Sequence, residues 1–271
     1  MTYHSHRILG ESYDTNDHHA LHEDLRLIHR EGFRIVPLGW VAEWAVGRRG
    51  RRGLERAVAL TFDDGADFDF HDIVHLTYGA QRSFFNILRD FQAEVGVARQ
   101  PHLHASAFVI ASPTVRHELD TRSMDGRGWM SDGWWAAADR SGLMAIHNHS
   151  WDHNHPIAST VCQEQQRKGS FEWIATEREC RREVEDAAWF IFGRTYPAWP
   201  ALFAYPGGRS SDYLREVYFP RSVERHRTLA AFGGSGGYVT RSSPRWNLPR
   251  FVCGAEWGSP EGLQAILREA A

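Results

Sequence analysis

Two neighbouring aspartates and a pair of histidines are the residues of this chain best suited to chemistry. Asp63 and Asp64 directly follow the apolar run at residues 57–62, which predicts a buried strand. His149 and His153 follow another apolar run and stand four positions apart. Two imidazoles at this spacing can reach one ion, and one carboxylate completes a set of three oxygen and nitrogen ligands. Such a set leaves a position open for water, which catalytic zinc requires.

The second carboxylate of the aspartate pair is then free to act as a base. Where a metal ion lowers the pKa of a water and polarises a carbonyl, an unligated aspartate takes the proton from the attacking water. This combination favours the hydrolysis of an acyl group. Each part alone is a weak signal, because an aspartate after a strand is often a turn former and the chain has 16 histidines.

Extended and helical patterns alternate along the chain. The strands and helices that they predict must position the aspartate pair and the two histidines. The predicted strands cover residues 33–36, 57–62, 105–110, 143–146, 201–205, 228–232 and 250–253. The predicted helices cover residues 16–30, 81–95, 132–140, 172–192 and 211–218, with a last helix opening at Ser259. Alternating strands and helices indicate right-handed βα units and a parallel sheet, either a barrel or a doubly wound sheet.

Three polar segments each follow a predicted strand of this sheet. They are the aspartate pair, the histidine cluster at residues 147–155 and the sequence YPGG at residues 205–208. The carboxyl ends of parallel strands lie at one face of an α/β fold, and this face carries the active site. We therefore expect the three segments to converge on one site.

The composition is that of a folded globular chain. The length of 271 residues gives nearly two domains by arithmetic, although α/β barrels often exceed 200 residues as one domain. With 42% hydrophobic and 24% charged residues, the chain is not disordered, collagenous or a coiled coil. A net charge of -3 gives no electrostatic argument for nucleic acid or an anionic membrane. Three cysteines without a CxxC pair argue against a disulfide framework and a cysteine zinc site.

The first residues lack the basic and then apolar pattern of a secretory signal. No apolar run approaches the roughly 18 residues that a membrane span needs. From the sequence we expect a cytoplasmic protein without a membrane span.

Three motifs closely resemble the polysaccharide deacetylases, the chitooligosaccharide deacetylase homology domain of carbohydrate esterase family 4. They are TFDDG at residues 61–65, HSWDH at residues 149–153 and FAYPGG at residues 203–208, in the family's order. The resemblance implies an α/β fold, a distorted (β/α)7 barrel of parallel strands, as a single domain over residues 1–271. Within it we expect a motif-bearing core at about 54–271 and an N-terminal helix-strand extension at 1–53.

The same resemblance implies a metal-dependent hydrolase that removes N-acetyl groups from an N-acetylated amino sugar in a poly- or oligosaccharide. It makes Asp63 the catalytic base and makes Asp64, His149 and His153 the ligands of a divalent ion. Zn²⁺ is the first candidate, and the same donors accept Fe²⁺, Co²⁺ or Ni²⁺. The backbone N–H of Gly207 would help to hold the tetrahedral intermediate. We expect a carbohydrate substrate and no nucleic acid, with the oligomeric state left open.

Two other functions stay open at this stage. One is an amidohydrolase or O-acetyl esterase of the same fold with a non-polymeric substrate. The other is an inactive carbohydrate-binding pseudoenzyme, because the C-terminal Leu-x-His motif that supplies the family's general acid has no counterpart after Arg250. His147 and His155 are candidates for this acid or for a role behind the ligands, and Asp63 could itself return the proton. His155 also competes with His153 as a ligand.

The third motif departs from its more familiar form, because Ala204 stands where an arginine orients the catalytic aspartate. The FAYPxG form resembles the branch that includes poly-N-acetylglucosamine deacetylases. We predict that Arg250, at the start of a late strand, brings its guanidinium to Asp63 instead.

The chain is rich in tryptophan, with 11 of these residues, as well as in histidine. Sugar rings present apolar faces that stack on aromatic rings, so Trp151, Tyr205 and Trp257 are predicted to contact the substrate. Core packing is the alternative for such residues. Residues 67–70 and 113–133 lie outside the minimal family pattern and are predicted to be insertions that reshape the groove.

Overall fold

A computed structural model describes residues 1–270 as an α/β structure. Its strands are β1 (Thr2–Tyr3), β2 (Arg34–Ile35), β3 (Ala57–Val58), β4 (Leu60–Phe62), β5 (Ile73–His75), β6 (Gly79–Gln81), β7 (Ala105–Val109), β8 (Met144–Asn148), β9 (Leu202–Ala204) and β10 (Ala230–Phe232). Its α-helices are α1 (Asp17–Arg30), α2 (Leu38–Ala45), α3 (Phe84–Val95), α4 (Pro113–Ser123), α5 (Trp135–Arg140), α6 (Glu177–Cys180), α7 (Ala187–Thr195), α8 (Phe219–Arg221), α9 (Val223–His226) and α10 (Pro260–Glu269). Two π-helical segments, Arg181–Asp186 and Tyr213–Tyr218, continue α6 into α7 and lead into α8. Three short 3₁₀ turns are Asp67–Asp69, Phe171–Trp173 and Pro206–Gly208. Within residues 1–270 none of the helices combines the length and the apolar character needed to cross a bilayer.

A six-stranded parallel sheet carries the fold, in the order β1-β4-β7-β8-β9-β10. The chain after β10 returns between the two edge strands of this sheet, because Leu248 bridges Phe232 of β10 and Val252 bridges Thr2 of β1. Residues 248–252 therefore stand where a further strand would close the barrel. The sheet curls as a distorted α/β barrel in a single domain, which confirms the fold class predicted from the sequence.

The helical faces predicted from the apolar spacing are buried against this sheet. In α1 the stripe of Leu21, Leu25 and Ile28 is fully buried, and Asn16 caps the helix by accepting the N–H of His18 at 2.9 Å. In the same core, Phe84 of α3 packs against Phe62 of β4 with ring centroids 4.6 Å apart. The apolar pattern thus fixes which face of each helix meets the strands that end at the aspartate pair.

Several elements differ from the prediction. The strand predicted at 57–62 is broken at Ala59, and its first part, β3, pairs with β2 in a separate two-stranded sheet. The elements that were not predicted are β1, α2, the β5–β6 hairpin, α4, α8 and α9. The segment predicted as a strand at 250–253 makes isolated bridges only. In particular, β1 belongs to the main sheet although it lies in the segment predicted as an N-terminal extension.

The turn after β4 requires glycine. Gly65 has φ +74, and a Cβ at this position would lie 2.6 Å from Cγ1 and 2.8 Å from Cβ of Val109 in β7. A side chain there would both strain the backbone and clash with the neighbouring strand. The absence of a side chain lets the chain turn tightly behind the aspartate pair.

We predict that Gly65→Ala destabilises the protein by at least about 2 kcal/mol, since the positive φ and the overlap with Val109 add. Thermal and chemical unfolding would measure the loss. The matched control is Gly79→Ala, because Gly79 has a similar φ of +66 but no atom within 4 Å of the added Cβ. Equal losses in the two variants would contradict the role of the close approach.

Candidate active site

The predicted ligand residues meet at the carboxyl ends of β4 and β8. Oδ1 of Asp64 lies 3.4 Å from Nε2 of His149 and 3.4 Å from Nε2 of His153. Ligand atoms at about 2.0–2.2 Å from a tetrahedral ion lie roughly 3.3–3.5 Å from one another. The spacing of these three donors therefore fits a single divalent ion, and the set includes two nitrogens and one oxygen.

The imidazole of His149 is oriented by the neighbouring strand. Its Nδ1 lies 2.9 Å from the carbonyl oxygen of Ala204 at the end of β9, which can only accept, so Nδ1 carries the proton. The lone pair of Nε2 then faces Asp64. Metal-binding histidines commonly make this contact with a backbone carbonyl, and it fixes both tautomer and ring orientation.

The two histidines differ in their charge preference. Burial lowers the pKa of His153 to about 3, so this ring is neutral near neutral pH. Burial also disfavours the cation of His149, but the carboxylates of Asp63 and Asp64 outweigh it and raise the pKa of His149. Asp64 is likewise desolvated, yet its contacts with the two imidazoles hold its pKa well below the ordinary value.

The backbone around these ligands is strained. Asp64, Ser150, His153 and Asn154 all have positive φ, at 75, 74, 63 and 45°. Each such conformation costs a residue other than glycine about 1 kcal/mol or more, and it persists only where the surroundings enforce it. The clustering of these residues at one place marks a site that the fold holds in a set geometry.

A buried glutamate holds the loop between the two histidines. Oε2 of Glu183 accepts the N–H of Trp151 at 3.0 Å and that of Asp152 at 3.2 Å. Below the same loop, Oδ1 of Asn148 accepts the N–H of Ser150 at 2.8 Å. Since Glu183 lies on the π-helical segment after α6, the long helix of the sequence directly supports the candidate ligands.

We predict that Glu183→Ala destabilises the protein by about 2–6 kcal/mol, because one buried and one partly buried N–H group lose their acceptor at about 1–3 kcal/mol each. Chemical unfolding would measure the loss. Glu172→Ala serves as the control, since this exposed carboxylate accepts from the nearby Ser170 hydroxyl and no other hydrogen bond to it is seen within residues 1–270. The expected change in the free energy of unfolding for Glu172→Ala is within about 0.5 kcal/mol. An equally small change for Glu183→Ala would contradict the supporting role of Glu183.

Asp63 is clamped by Arg250 beside the ligand set. Nη1 of Arg250 donates to Oδ1 and Nη2 donates to Oδ2, both at 2.8 Å, so the pair is bidentate. Both side chains are almost fully buried. Burial raises the pKa of Asp63, but Arg250 and His149 outweigh it and lower the pKa below the ordinary value. The guanidinium therefore reaches Asp63 as the sequence predicts, whereas its part in turnover stays a prediction.

The third motif reaches the same end of the sheet through a short 3₁₀ turn. Gly207 is exposed, has φ +60, and has no atom within 4 Å of where a Cβ would stand. A Cβ at the neighbouring Gly208 would instead lie 2.7 Å from Cα of Gly234, and the N–H of Gly234 donates to the carbonyl of Gly208 at 3.2 Å, which closes the turn against the loop after β10. The oxyanion role of the Gly207 N–H stays a prediction.

Two of the three predicted substrate contacts are wrong. Tyr205 is 0% exposed and its hydroxyl donates to the carbonyl of Trp246 at 2.7 Å. Trp257 is 3% exposed, packs against Tyr3 with ring centroids 5.6 Å apart and donates through Nε1 to Asp24. Both rings are core side chains with satisfied polar atoms, so neither presents a face to a sugar.

Trp151 is partly buried between the ligand loop and α7. The guanidinium of Arg182 lies 3.7 Å from the centre of its ring, and the ring of Phe190 meets it edge-on. One face of the indole is thus covered by a cation. Contact with a substrate stays a prediction for this residue.

The two histidines proposed as the acid lie in different surroundings. His147 packs beside Phe108, and burial lowers its pKa to about 3. It is therefore neutral near pH 7 and the prediction of His147 as the acid is not supported. The ring of His155 lies 5.3 Å from that of His153, and its Nδ1 accepts the N–H of Ile157. His155 thus stays beside the site as a candidate.

Residues that were not singled out in the sequence also meet Asp64. Nδ1 of His6 lies 3.7 Å from Oδ2 of Asp64, whereas His149 and His153 contact Oδ1. His6 follows β1, so a strand end again delivers a polar side chain. The pattern His-x-His after a two-residue strand was the available signal, and it was missed because so short a strand has no periodicity.

A further carboxyl group, Asp69, lies buried in the stretch predicted as an insertion. It is 0% exposed, and neither oxygen has a hydrogen-bond partner within residues 1–270. Burial, together with the charges of Asp64 and Asp63, raises its pKa well above the ordinary value. Asp69 is therefore a buried carboxyl group with a raised pKa close to the aspartate pair.

Comparison with known proteins agrees with this geometry. The family model described as polysaccharide deacetylase matches residues 50–219, which is more than half of the chain. The chain belongs to the polysaccharide deacetylase family. This confirms the resemblance drawn from the three motifs.

Several solved structures have a similar fold. The Streptococcus pyogenes deacetylase PplD in complex with acetate is 16% identical, with a TM-score of 0.65 over 98% of this chain and 96% of that chain. IcaB from Ammonifex degensii is 18% identical, with a TM-score of 0.60 over 100% and 96%. A de-N-acetylase from Aggregatibacter actinomycetemcomitans is 15% identical, with a TM-score of 0.61 over 98% and 97%. No curated protein matches the sequence significantly. At these identities the similarity shows the fold.

Proposed function

We propose that this protein is a metal-dependent hydrolase that removes N-acetyl groups from an N-acetylated amino sugar in a poly- or oligosaccharide. The observation that carries the proposal is the single-ion spacing of Asp64, His149 and His153 beside the carboxylate of Asp63. Family membership supports the same reaction. The structurally similar deacetylase PplD was solved in complex with acetate, which is the product expected here.

Asp64, His149 and His153 would hold the divalent ion. Their chemistry suits Zn²⁺ first, and Fe²⁺, Co²⁺ or Ni²⁺ would accept the same oxygen and nitrogen donors. Bound there, the ion would lower the pKa of the attacking water and polarise the acyl oxygen. The Ala204 carbonyl keeps the lone pair of His149 Nε2 turned toward Asp64, which prepares the donors before binding.

Asp63 is suited to accept the proton of the attacking water. Arg250 occupies one lone pair on each of its oxygens, holds the carboxylate in place and keeps it ionised near neutral pH. The oxygen of water adds to the acetyl carbon, the carbon–nitrogen bond then breaks, and the nitrogen must gain a proton to leave as an amine. Asp63, which has taken a proton, can return it. This route needs no histidine from a Leu-x-His motif.

Gly207 would contribute through its backbone. As an exposed glycine beyond β9, it can present an N–H to the developing negative charge without a side chain in the way. The open space around its Cα leaves room for the acetyl group. Trp151, next to the ligand loop, remains the proposed aromatic contact for the sugar.

We predict that Asp63→Asn lowers the rate of acetate release from N-acetylglucosamine oligosaccharides by about 10² to 10⁴-fold, because the amide cannot accept the proton. Enzymatic assay of free acetate measures the rate. Asp212→Asn, which changes a strongly exposed acid, is the matched control and should leave the rate unchanged.

Metal content and thermal unfolding of the Asp63→Asn protein separate chemistry from folding. A folded, metal-loaded variant that releases acetate at the normal rate would overturn the role of Asp63. If the unmodified protein binds the sugars but releases no acetate, the proposed reaction is wrong and the pseudoenzyme hypothesis holds.

We predict that chelation of divalent metal abolishes acetate release and that added Zn²⁺ restores it. Elemental analysis should find one ion per chain, and calorimetric titration should show an affinity that falls at least about 100-fold in His153→Ala, which removes a whole ligand. His155→Ala tests the competing ligand and should leave the metal affinity within a few-fold. Full turnover after complete removal of metal would contradict the proposal.

A further inference from the structure

A run of arginines lies at the end of the barrel opposite the candidate site. Residues 47–53, with the sequence GRRGRRG, contain four arginines in a chain of net charge -3. We call this segment the arginine loop. It connects α2 to β3, so it lies where the parallel strands begin, whereas Asp63 and Asp64 lie where they end.

The arginine loop lines a shallow depression of about 380 Å³ together with residues from two other strand starts, Arg34 and His102. Trp40 also lines this depression. The guanidinium of Arg49 stands 3.8 Å from the centre of the Trp40 ring, and the ring of His102 lies 4.6 Å from it. Cations from more than one part of the chain are thus gathered at one surface.

Most of these cations have no ion-pair partner. Arg49 has Glu43 at 3.7 Å, whereas Arg48, Arg51 and Arg52 have no carboxylate within 4 Å in the part of the chain that the structure describes. All three are exposed. Glu55, the other acid beside the loop, accepts the N–H of Gly53. The surface therefore carries a local excess of positive charge that the net charge of the whole chain hides.

An exposed group of aromatic side chains lies at the same end of the barrel, where α7 leads into β9. It consists of Trp189, Phe192, Tyr196 and Trp199, and we call it the aromatic cluster. Trp189 is 49% exposed and Tyr196 is 74% exposed. The rings of Trp189 and Trp199 lie 4.9 Å apart, and the guanidinium of Arg227 stands 5.6 and 5.4 Å from them.

The two features are connected across the start of β10. Nε of Arg245 donates to the carbonyl of Leu229, the residue before β10. Arg227, which lies beside the aromatic cluster, shortly precedes Leu229 in the sequence. Burial and the nearby charge of Arg48 together lower the pKa of Arg245, so the arginine loop reaches this strand start. Arginines and amphipathic rings therefore share one end of the barrel.

We propose that this end of the barrel docks on an anionic phospholipid surface. Guanidinium groups bind the lipid phosphates, and tryptophan and tyrosine rings favour the headgroup region, where one edge is apolar and the other is wet. Single-stranded nucleic acid would need free ring faces for stacking, yet arginines lie over Trp40, Trp189 and Trp199. Docked in this way, the protein presents Asp63 and the ligand set away from the membrane. The proposal is independent of the reaction proposed above.

Co-sedimentation with phosphatidylglycerol and phosphatidylcholine vesicles tests this docking. The protein should bind the anionic vesicles and should bind the zwitterionic vesicles weakly or not at all. Its affinity for the anionic vesicles should fall as the salt concentration rises. The triple variant Arg48→Glu, Arg51→Glu, Arg52→Glu should bind the anionic vesicles at least about ten-fold more weakly. The control reverses three exposed arginines elsewhere, Arg89→Glu, Arg178→Glu, Arg221→Glu, and should keep the affinity with the same change in net charge.

The proposal would be overturned by no binding to anionic vesicles, by equal loss in both triple variants, or by tighter binding to a single-stranded oligonucleotide than to the vesicles. Trp189→Ala separates a lipid interface from a purely electrostatic patch and should lower vesicle binding several-fold. Unchanged binding of that variant would also overturn it. Thermal unfolding of every variant checks that each is folded, and none of the substituted residues belongs to the candidate active site.

Discussion

The buried ion pair between Asp63 and Arg250 links the closure of the sheet to the candidate active site. Arg250 lies on residues 248–252, which bridge β10 at Leu248 and β1 at Val252. Its guanidinium donates to Asp63, to Thr61 on β4 and to the carbonyl of Gly233 after β10. One side chain thus connects β4 with the segment that follows β10, the last strand of the sheet. Removing either charge would leave the other buried without a partner, which costs several kcal/mol.

The charges of two adjacent carboxylates, Asp63 buried and Asp64 partly buried, are compensated by different partners. Burial raises the pKa of each group, and the partners lower it. Arg250 compensates the first, and the imidazoles of His149 and His153 contact the second. The two aspartates are therefore held in different roles by different partners. The carboxylate of Asp64 is left facing nitrogen donors, and that of Asp63 is left facing a fixed cation.

The chemistry-bearing segments were predictable because each follows a regular apolar run. A strand at residues 57–62 and another before His149 have clear patterns, so the strand-end rule placed Asp63 and His149 on one face without knowledge of the structure. The elements that were missed have no such pattern. A strand of two residues, β1, exists only because β4 and residue Val252 pair with it, and His6 was overlooked with it.

The aromatic residues show a different limit of sequence reasoning. Nothing local distinguishes Trp151, which is partly buried at the ligand loop, from Trp257, which is enclosed by Tyr3 and donates to Asp24. Their difference arises from packing between segments that are far apart in sequence. Glu183 is a similar case, because its role depends on N–H groups more than 30 residues away. Such roles require the tertiary structure.

The absence of arginine from the third motif has a structural consequence. An arginine at the position of Ala204 would place the cation on β9, whereas here the cation comes from the closing segment at residue 250. The carbonyl of Ala204 is used instead to orient His149. The charge that fixes Asp63 therefore depends on closure of the barrel and not on one strand alone. Loosening residues 248–252 should release Asp63 and open the sheet at the same time, so stability and the geometry of the candidate site are coupled through one contact.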